Sequence, residues 1–260
     1  MKNRKLYSIS STTFSDDNAA FIMTNENLRC AMKNMPSKTD RALTVAASGD
    51  HPLWCSLYGA KHVDTFDITF SAKCIMDIKV AALSCLNRDE YRALLEDLYA
   101  QEMGWNVFFQ EKMLKKLPID DLKHIFKNRK RGLFIKGAID EYRLPTVEEY
   151  EKLQKIVKKT YRFFHTDIKF LGYELKESYD FIHLSNIFEH MKIIRDQQQT
   201  IIMSLMEHVN VGGRILFQNL IFAPWEKPPV PEHLCSSHGD TDWRFIQKPC
   251  DMLTILERVR

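Results

Sequence analysis

The chain has 260 residues, 45% of them hydrophobic and 27% charged, with a formal net charge of +3. That supplies a sizeable core and excludes global disorder, while so small a net charge gives no general attraction to nucleic acid, so no stable nucleic-acid binding is expected. No apolar run nears the roughly 18 residues needed to span a bilayer, and the basic start M-K-N-R-K lacks the hydrophobic region of a secretory signal.

The residues before Asp40 read as a helical N-terminal cap (1–40). Asn18 to Met35 carries Phe21, Ile22, Leu28, Ala31 and Met32 at near-helical spacing, and Pro36 ends it. Such a segment either covers a cleft or packs on a sheet edge. From residue 41 onward the pattern becomes α/β. Leu43 to Ala47 is a short branched apolar run of the kind that forms a buried strand, Ser48 and Gly49 make a turn, and Pro52 suits the first turn of a helix ending near Gly59. A second strand, Val63 to Asp67, closes a βαβ unit on an acid.

This turn is poorly built for a pyrophosphate. It holds one glycine where the dinucleotide fingerprint uses three, and Asp50 at the helix entrance repels phosphate while welcoming a cation. Asp50 also serves as a plain N-terminal cap, as acids at that position often do. Asp67 lies about 18 residues beyond Gly49, near the spacing at which a carboxylate takes ribose hydroxyls. Ribose recognition without a phosphate site points to a nucleoside bearing positive charge, and S-adenosylmethionine, with its sulfonium and ammonium, has that chemistry.

After Asp67, Thr69 or Ser71 caps a helix whose buried stripe is Ala72, Ile75, Met76, Lys79, Ala82, Leu83 and Leu86. From Asn87 to about Thr160 the βα alternation stops, which marks a helical insertion (87–160) between the second and third strands. Thr146 and Glu149 form a T-x-x-E capping box there, with Val147, Tyr150, Leu153 and Val157 continuing a buried face. The basic run Lys127 to Arg131 is a solvated helix end or a contact for an anionic acceptor or phospholipid surface, so membrane contact is at most peripheral.

The alternation resumes with a third strand, Tyr161 to Asp167, and a fourth, Asp180 to Leu184, followed by S-N-I-F-E-H-M. Polar groups at the carboxyl ends of parallel strands face the crevice where ligands bind. Asp167 is therefore placed to accept from an adenine amino group, and Ser185 and Asn186 to sit beside a sulfonium. A helix from Gln197 to Val209 ends on Gly212–Gly213 as a C-cap, Arg214 to Phe222 is a fifth strand, and Leu253 to Val259 a late one. The six cysteines (Cys30, Cys55, Cys74, Cys85, Cys235, Cys250) never form C-x-x-C and read as reduced thiols of a cytoplasmic protein. His233, Cys235 and His238 lack a fourth ligand, so no metal is expected.

Taken together, V-A-A-S-G-D-H-P (45–52), V-D-T-F-D-I (63–68), R-G-L-F-I-K-G-A-I-D-E-Y (131–142) and Y-D-F-I-H-L-S-N-I-F-E-H-M (179–191) resemble the class I S-adenosylmethionine-dependent transferases. Within that class they are most similar to the S-adenosylmethionine:diacylglycerol 3-amino-3-carboxypropyl transferases of betaine-lipid synthesis. The resemblance covers roughly residues 40–222 and is most specific at S-N-I-F. It implies a Rossmann-like doubly wound sheet (41–260) and transfer of the aminocarboxypropyl group to an acceptor, with methylthioadenosine released. The alternatives are methyl transfer from the same cofactor and a non-catalytic cofactor-binding subunit. An NAD(P)-dependent oxidoreductase is disfavoured by the single glycine and Asp50.

The expected cofactor residues are Ser48, Gly49, Asp50, His51, Asp67, Ile68, Asp167, Ile168, Ser185 and Asn186. For proton removal from the acceptor the candidates are Tyr142, Glu189 and His190, with His51 a weaker one. Small-molecule, lipid, nucleotide and peptide acceptors all remain open.

Overall fold

The computed structural model describes residues 20–100, 107–128, 142–157, 161–190, 193–218, 229–231, 233–238, 241–248 and 252–260. Its strands are β1 (Arg41–Val45), β2 (His62–Asp67), β3 (Arg162–His165), β4 (Tyr179–His183), β5 (Val209–Gln218), β6 (Cys235–Ser236), β7 (Trp243–Lys248) and β8 (Leu253–Arg258). They form one sheet in the order β3-β2-β1-β4-β5-β8-β7-β6. The first five run parallel, and β8 is antiparallel to both its neighbours, β5 and β7. The chain works outward from β1 to β3, then returns to lay β4 against the free side of β1. Strand direction of travel therefore reverses between β1 and β4, the place where doubly wound sheets bind ligands.

The helices are α1 (Leu28–Met32), α2 (Asp50–Leu57), α3 (Phe70–Leu83), α4 (Arg88–Ala100), α5 (Val107–Leu114), α6 (Ile119–Asn128), α7 (Val147–Ile156), α8 (Ile168–Glu174), α9 (Ile187–His190) and α10 (Arg195–Met206). Strand residues alternate between two apolar layers, as a pleated sheet covered on both faces requires. Ala42, Phe181 and Leu216 join one cluster with Trp54, Ile75, Leu94 and Leu153. Leu43, Ile182 and Ile215 join the other with Leu171, Ile202 and Leu205. Helices α4 to α7 form the insertion between β2 and β3, in the place the broken alternation indicates.

Local chemistry sets the helix starts. Thr69 caps α3, accepting from the Ser71 amide at 3.3 Å, and Thr146 with Glu149 makes the full capping box of α7. Gly49 precedes α2 with φ +77°, and a Cβ there would lie 2.7 Å from Met76 Cα. The glycine is needed twice over, for a left-handed turn and for the close approach of α3.

Two expectations are corrected. The lead-in is not one helix from Asn18 to Met35: residues 20–27 are irregular, and only Leu28–Met32 is helical, begun by Asn27, whose side chain accepts from the Cys30 amide. The Thr24 amide, which a helix would engage, instead donates to Asp50 at 2.8 Å. Gly212 and Gly213 do not cap the preceding helix, which ends at Met206; they lie inside β5, opposite a register shift in β4. A Cβ on Gly213 would meet Asp180 O at 3.1 Å, so the small residue lets the two strands close. Strands β6 and β7 extend the sheet beyond anything the sequence pattern indicated.

Candidate functional site

The cleft opens at the carboxyl ends of β1, β2 and β4. At the edges of the switch point, Ala47 after β1 has φ 44° and Ser185 after β4 has φ 57°. Non-glycine residues in this region cost of order 1–3 kcal/mol each, and such strain gathers at functional sites. The Ala47 strain is offset locally: its amide donates to Asp67 Oδ2 at 2.9 Å.

About 870 Å³ of space, its open mouth included, lies between these strand ends. Val45, Phe66, Ile68, Ile168 and Ile187 make an apolar wall, and Ala20, Phe21 and Met23 of the lead-in face it. The polar lining is Thr24, Asn25, Glu26, Ser48, His51, Asp67, Thr69, Thr166, Ser185 and Asn186. Among the described residues no lysine or arginine lines the cleft, whereas two carboxylates do.

Asp67 ends β2 and is buried. Burial pushes its pKa up to about 6, against the pull of amide donors from Thr69, Ala47 and Ile68. Glu26 enters from the lead-in and is also buried. Burial alone would raise its pKa, but the His51 hydrogen bond, the nearby imidazoles of His51 and His183, and the Ser185 hydroxyl bring it below the ordinary value. Its Oε1 accepts from Ser185 Oγ and, at 3.1 Å, from the Asn186 amide. Its Oε2 lies 3.2 Å from His51 Nε2. Behind this pair His183 stacks on His51 with ring centroids 5.4 Å apart, and burial drives the His183 pKa down to about 3. His183 is therefore a neutral backing ring at ordinary pH.

A scan of protein-family models finds no match, and no curated protein matches. Among solved structures the chain is similar to the rRNA methyltransferase aviRa from Streptomyces viridochromogenes (12% identity, 99% of this chain and 96% of that one, TM-score 0.46). It is also similar to TehB from Haemophilus influenzae at 17% identity, spanning 90% of this chain but only 62% of TehB, with TM-score 0.40. The N-methyltransferase NodS from Bradyrhizobium japonicum WM9 matches at 10% identity over 90% and 92% of the two chains, with TM-score 0.38. Likenesses this loose leave the assignment of the fold to its own strand order. The sheet is doubly wound and Rossmann-like.

Of the residues expected to bind a cofactor, the structure brings Ser48, His51, Asp67, Ile68, Ile168, Ser185 and Asn186 into one cleft. The other three lie apart from its lining. Asp50 has its cation already: Oδ1 pairs with Lys79 Nζ, while Oδ2 accepts from Ser48 Oγ at 2.7 Å and the Thr24 amide. Lys79, on the stripe that otherwise holds Ile75 and Ala82, is fully buried against it. Asp167 caps α8, accepting from the Lys169 amide at 3.1 Å, and lies 3.5 Å from Lys169 Nζ; its neighbours Thr166 and Ile168 face the cleft in its place. Gly49 contributes backbone shape alone.

Of the expected proton acceptors, His51 lines the cleft, whereas Tyr142 and Glu189 lie outside its lining. Tyr142 is 72% exposed, with Arg29 5.9 Å from its ring, because Arg29 gathers the Tyr142 and Leu144 carbonyls and Glu149 into one clamp. Glu189 sits on α9 outside the cleft lining. His190 ends α9, but its side chain lies outside the described residues, as do residues 129–141 with most of the basic run and the R-G-L-F-I-K-G-A-I-D-E segment.

Glu26 is the residue that sequence reasoning missed. It is 159 positions from Ser185, and N-E-N at 25–27 matches no motif. Its one signal is an acid three residues beyond the short apolar run Ala19 to Met23.

Proposed function

We propose that this chain is an S-adenosylmethionine-dependent transferase. The supporting observation is the charge of the cleft: buried Asp67 and Glu26 face a space whose described lining has no lysine or arginine. Such a site opposes a phosphorylated ligand and favours a cationic one. The residues fit the group. Asp67 would hold the ribose hydroxyls on lone pairs that its amide donors leave free, the apolar wall of Phe66, Ile68 and Ile168 would take the purine, and Glu26, Ser185 and Asn186 would lie toward the amino-acid end. When bound, the cofactor supplies carbons made electrophilic by the sulfonium. The protein's part is to hold an acceptor in line with one of them and exclude water, because positioning dominates such displacements.

Methyl transfer is the first reading, in keeping with the activity named for aviRa and NodS. Aminocarboxypropyl transfer is the second, favoured by the S-N-I-F motif at Ser185 to Phe188 and its resemblance to the betaine-lipid enzymes. The acceptor is a small molecule, lipid, nucleotide or peptide. No helix among the described residues is long and apolar enough to cross a membrane.

Calorimetric titration with S-adenosylhomocysteine and with NADH tests the cofactor. Binding of the first and not the second is expected, and the reverse result would end the proposal. Incubation with S-adenosylmethionine and cell extract then separates the readings: S-adenosylhomocysteine accumulates in methyl transfer, methylthioadenosine in aminocarboxypropyl transfer. If neither accumulates in any extract, the chain is a binding subunit.

A further inference from the structure

We propose that His51 takes the proton from the acceptor nucleophile and that Glu26 is the positioning residue that aims it. The proposal rests on the transferase reading of the cleft.

The geometry begins with Glu26. Ser185 Oγ and the Asn186 amide occupy Oε1, so the carboxylate is fixed at the end of β4 and Oε2 is turned to His51. An ionised carboxylate only accepts hydrogen bonds, so the contact at 3.2 Å places a hydrogen on His51 Nε2. On the neutral ring the lone pair then falls on Nδ1. That atom is buried and has no hydrogen-bond partner among the described residues, in a residue that is 2% exposed and lines the cleft. A buried acceptor left unpaired is costly, and folds keep such groups chiefly where a ligand or reaction uses them. A carboxylate holding one nitrogen of an imidazole, with the other nitrogen left for the reacting group, is the arrangement by which hydrolases orient a general base.

The groups facing His51 agree with this role. Glu26 comes from the lead-in, His183 stacks on the ring from β4, and Asp67 on β2 acts on it through charge. Asp50, next in the chain, is neutralised by Lys79. Two carboxylates and a neutral ring thus surround the imidazole and stabilise the imidazolium formed during reaction. In that step the acceptor's oxygen or nitrogen bonds to the sulfonium-bound carbon as the carbon–sulfur bond breaks. Its electron pair stays on sulfur, and the acceptor's proton passes to Nδ1, leaving later to water.

The test uses the full chain with uniformly ¹⁵N-labelled histidine, the His51 signals being assigned by their loss in His51→Gln. Wild type is expected to show the Nε2–H form, and Glu26→Gln to shift the ratio of the two forms measurably, a change that a merely structural role for Glu26 would not produce. His51→Gln is expected to bind S-adenosylhomocysteine within about threefold of wild type. It should release thionucleoside from S-adenosylmethionine at least 100-fold more slowly with the same extract, the low end of general-base effects. An Nδ1–H form in wild type overturns the proposal without any cofactor present. So does an undiminished rate in His51→Gln, or loss of S-adenosylhomocysteine binding in that variant, which would make His51 a cofactor ligand. If wild type itself fails to bind S-adenosylhomocysteine, the cofactor reading fails and this proposal with it, a result distinct from the others.

Discussion

Apart from Asp64 on β2, which meets Arg41 at 3.0 Å, the buried acids form two groups that differ in their partners. Between the helices on one face of the sheet, each meets a lysine: Asp50 pairs with Lys79, and Asp77 and Asp121 share Lys73 at 2.6 and 2.7 Å. In the cleft, Asp67 and Glu26 meet only amides, a hydroxyl and imidazoles. Neutral donors satisfy a carboxylate's geometry without cancelling its charge. Asp50 is therefore matched one to one, whereas Asp77 and Asp121 divide a single lysine, and burial together with Asp121 pushes the Asp77 pKa up to about 7. The cleft, with no lysine or arginine in its described lining, keeps negative charge for something that arrives from outside.

The largest effect should come from breaking the matched pair. Lys79→Met leaves Asp50 buried without its cation and is expected to cost about 3–5 kcal/mol in urea unfolding. Adding Asp50→Asn should recover part of that. A loss below about 1 kcal/mol would erase the contrast between the two regions. Gly49→Ala, which forces a left-handed alanine against the α3 backbone, should cost about 2–4 kcal/mol by the same measurement.

The cleft should respond to pH through Asp67. Asp67 has a folded pKa raised to about 6 from the usual 3.8, so the folded state holds its proton more tightly than the unfolded chain does. Its contribution to the stability of the empty protein is present at low pH and is lost as pH rises from about 4 through about 6, by up to about 3 kcal/mol. Subtracting the unfolding profile of Asp67→Ala from that of wild type isolates it. The ionised carboxylate is the better acceptor for ribose hydroxyls, so S-adenosylhomocysteine should bind roughly tenfold more weakly at pH 5 than at pH 7. Asp67→Ala should remove that dependence and cost about 1–3 kcal/mol of affinity. A flat profile in wild type would place the acid outside the ligand's reach. At the far end of the scale, Lys61 and Asp40 are exposed partners 3.1 Å apart, and Lys61→Ala should leave the unfolding midpoint unchanged.

Much of the fold was legible because its signals are local. The run at Leu43, the turn at Gly49, the acid at Asp67 and the T-x-x-E at Thr146 each act within a few residues of themselves. So β1, α2, β2 and α7 lie close to where the pattern puts them. Asp50 shows the limit of the same logic. Its cation was expected from outside, yet it comes from Lys79, whose place on an apolar stripe was itself a sign of a buried acid partner. Asp167 illustrates a competition between local and distant partners: two residues away an amide needed a cap, and the carboxylate took it.

By itself the sequence determined the order of strands and helices, the position of the insertion and the acid at the end of β2, since backbone periodicity and capping are short-range. Only the tertiary structure decided which acids face the cleft and which face lysines, and it alone brought Glu26 to His51 and Ser185. Those pairings depend on where segments far apart in the chain come to rest, and burial strengthens or cancels a charge according to neighbours that no local pattern encodes.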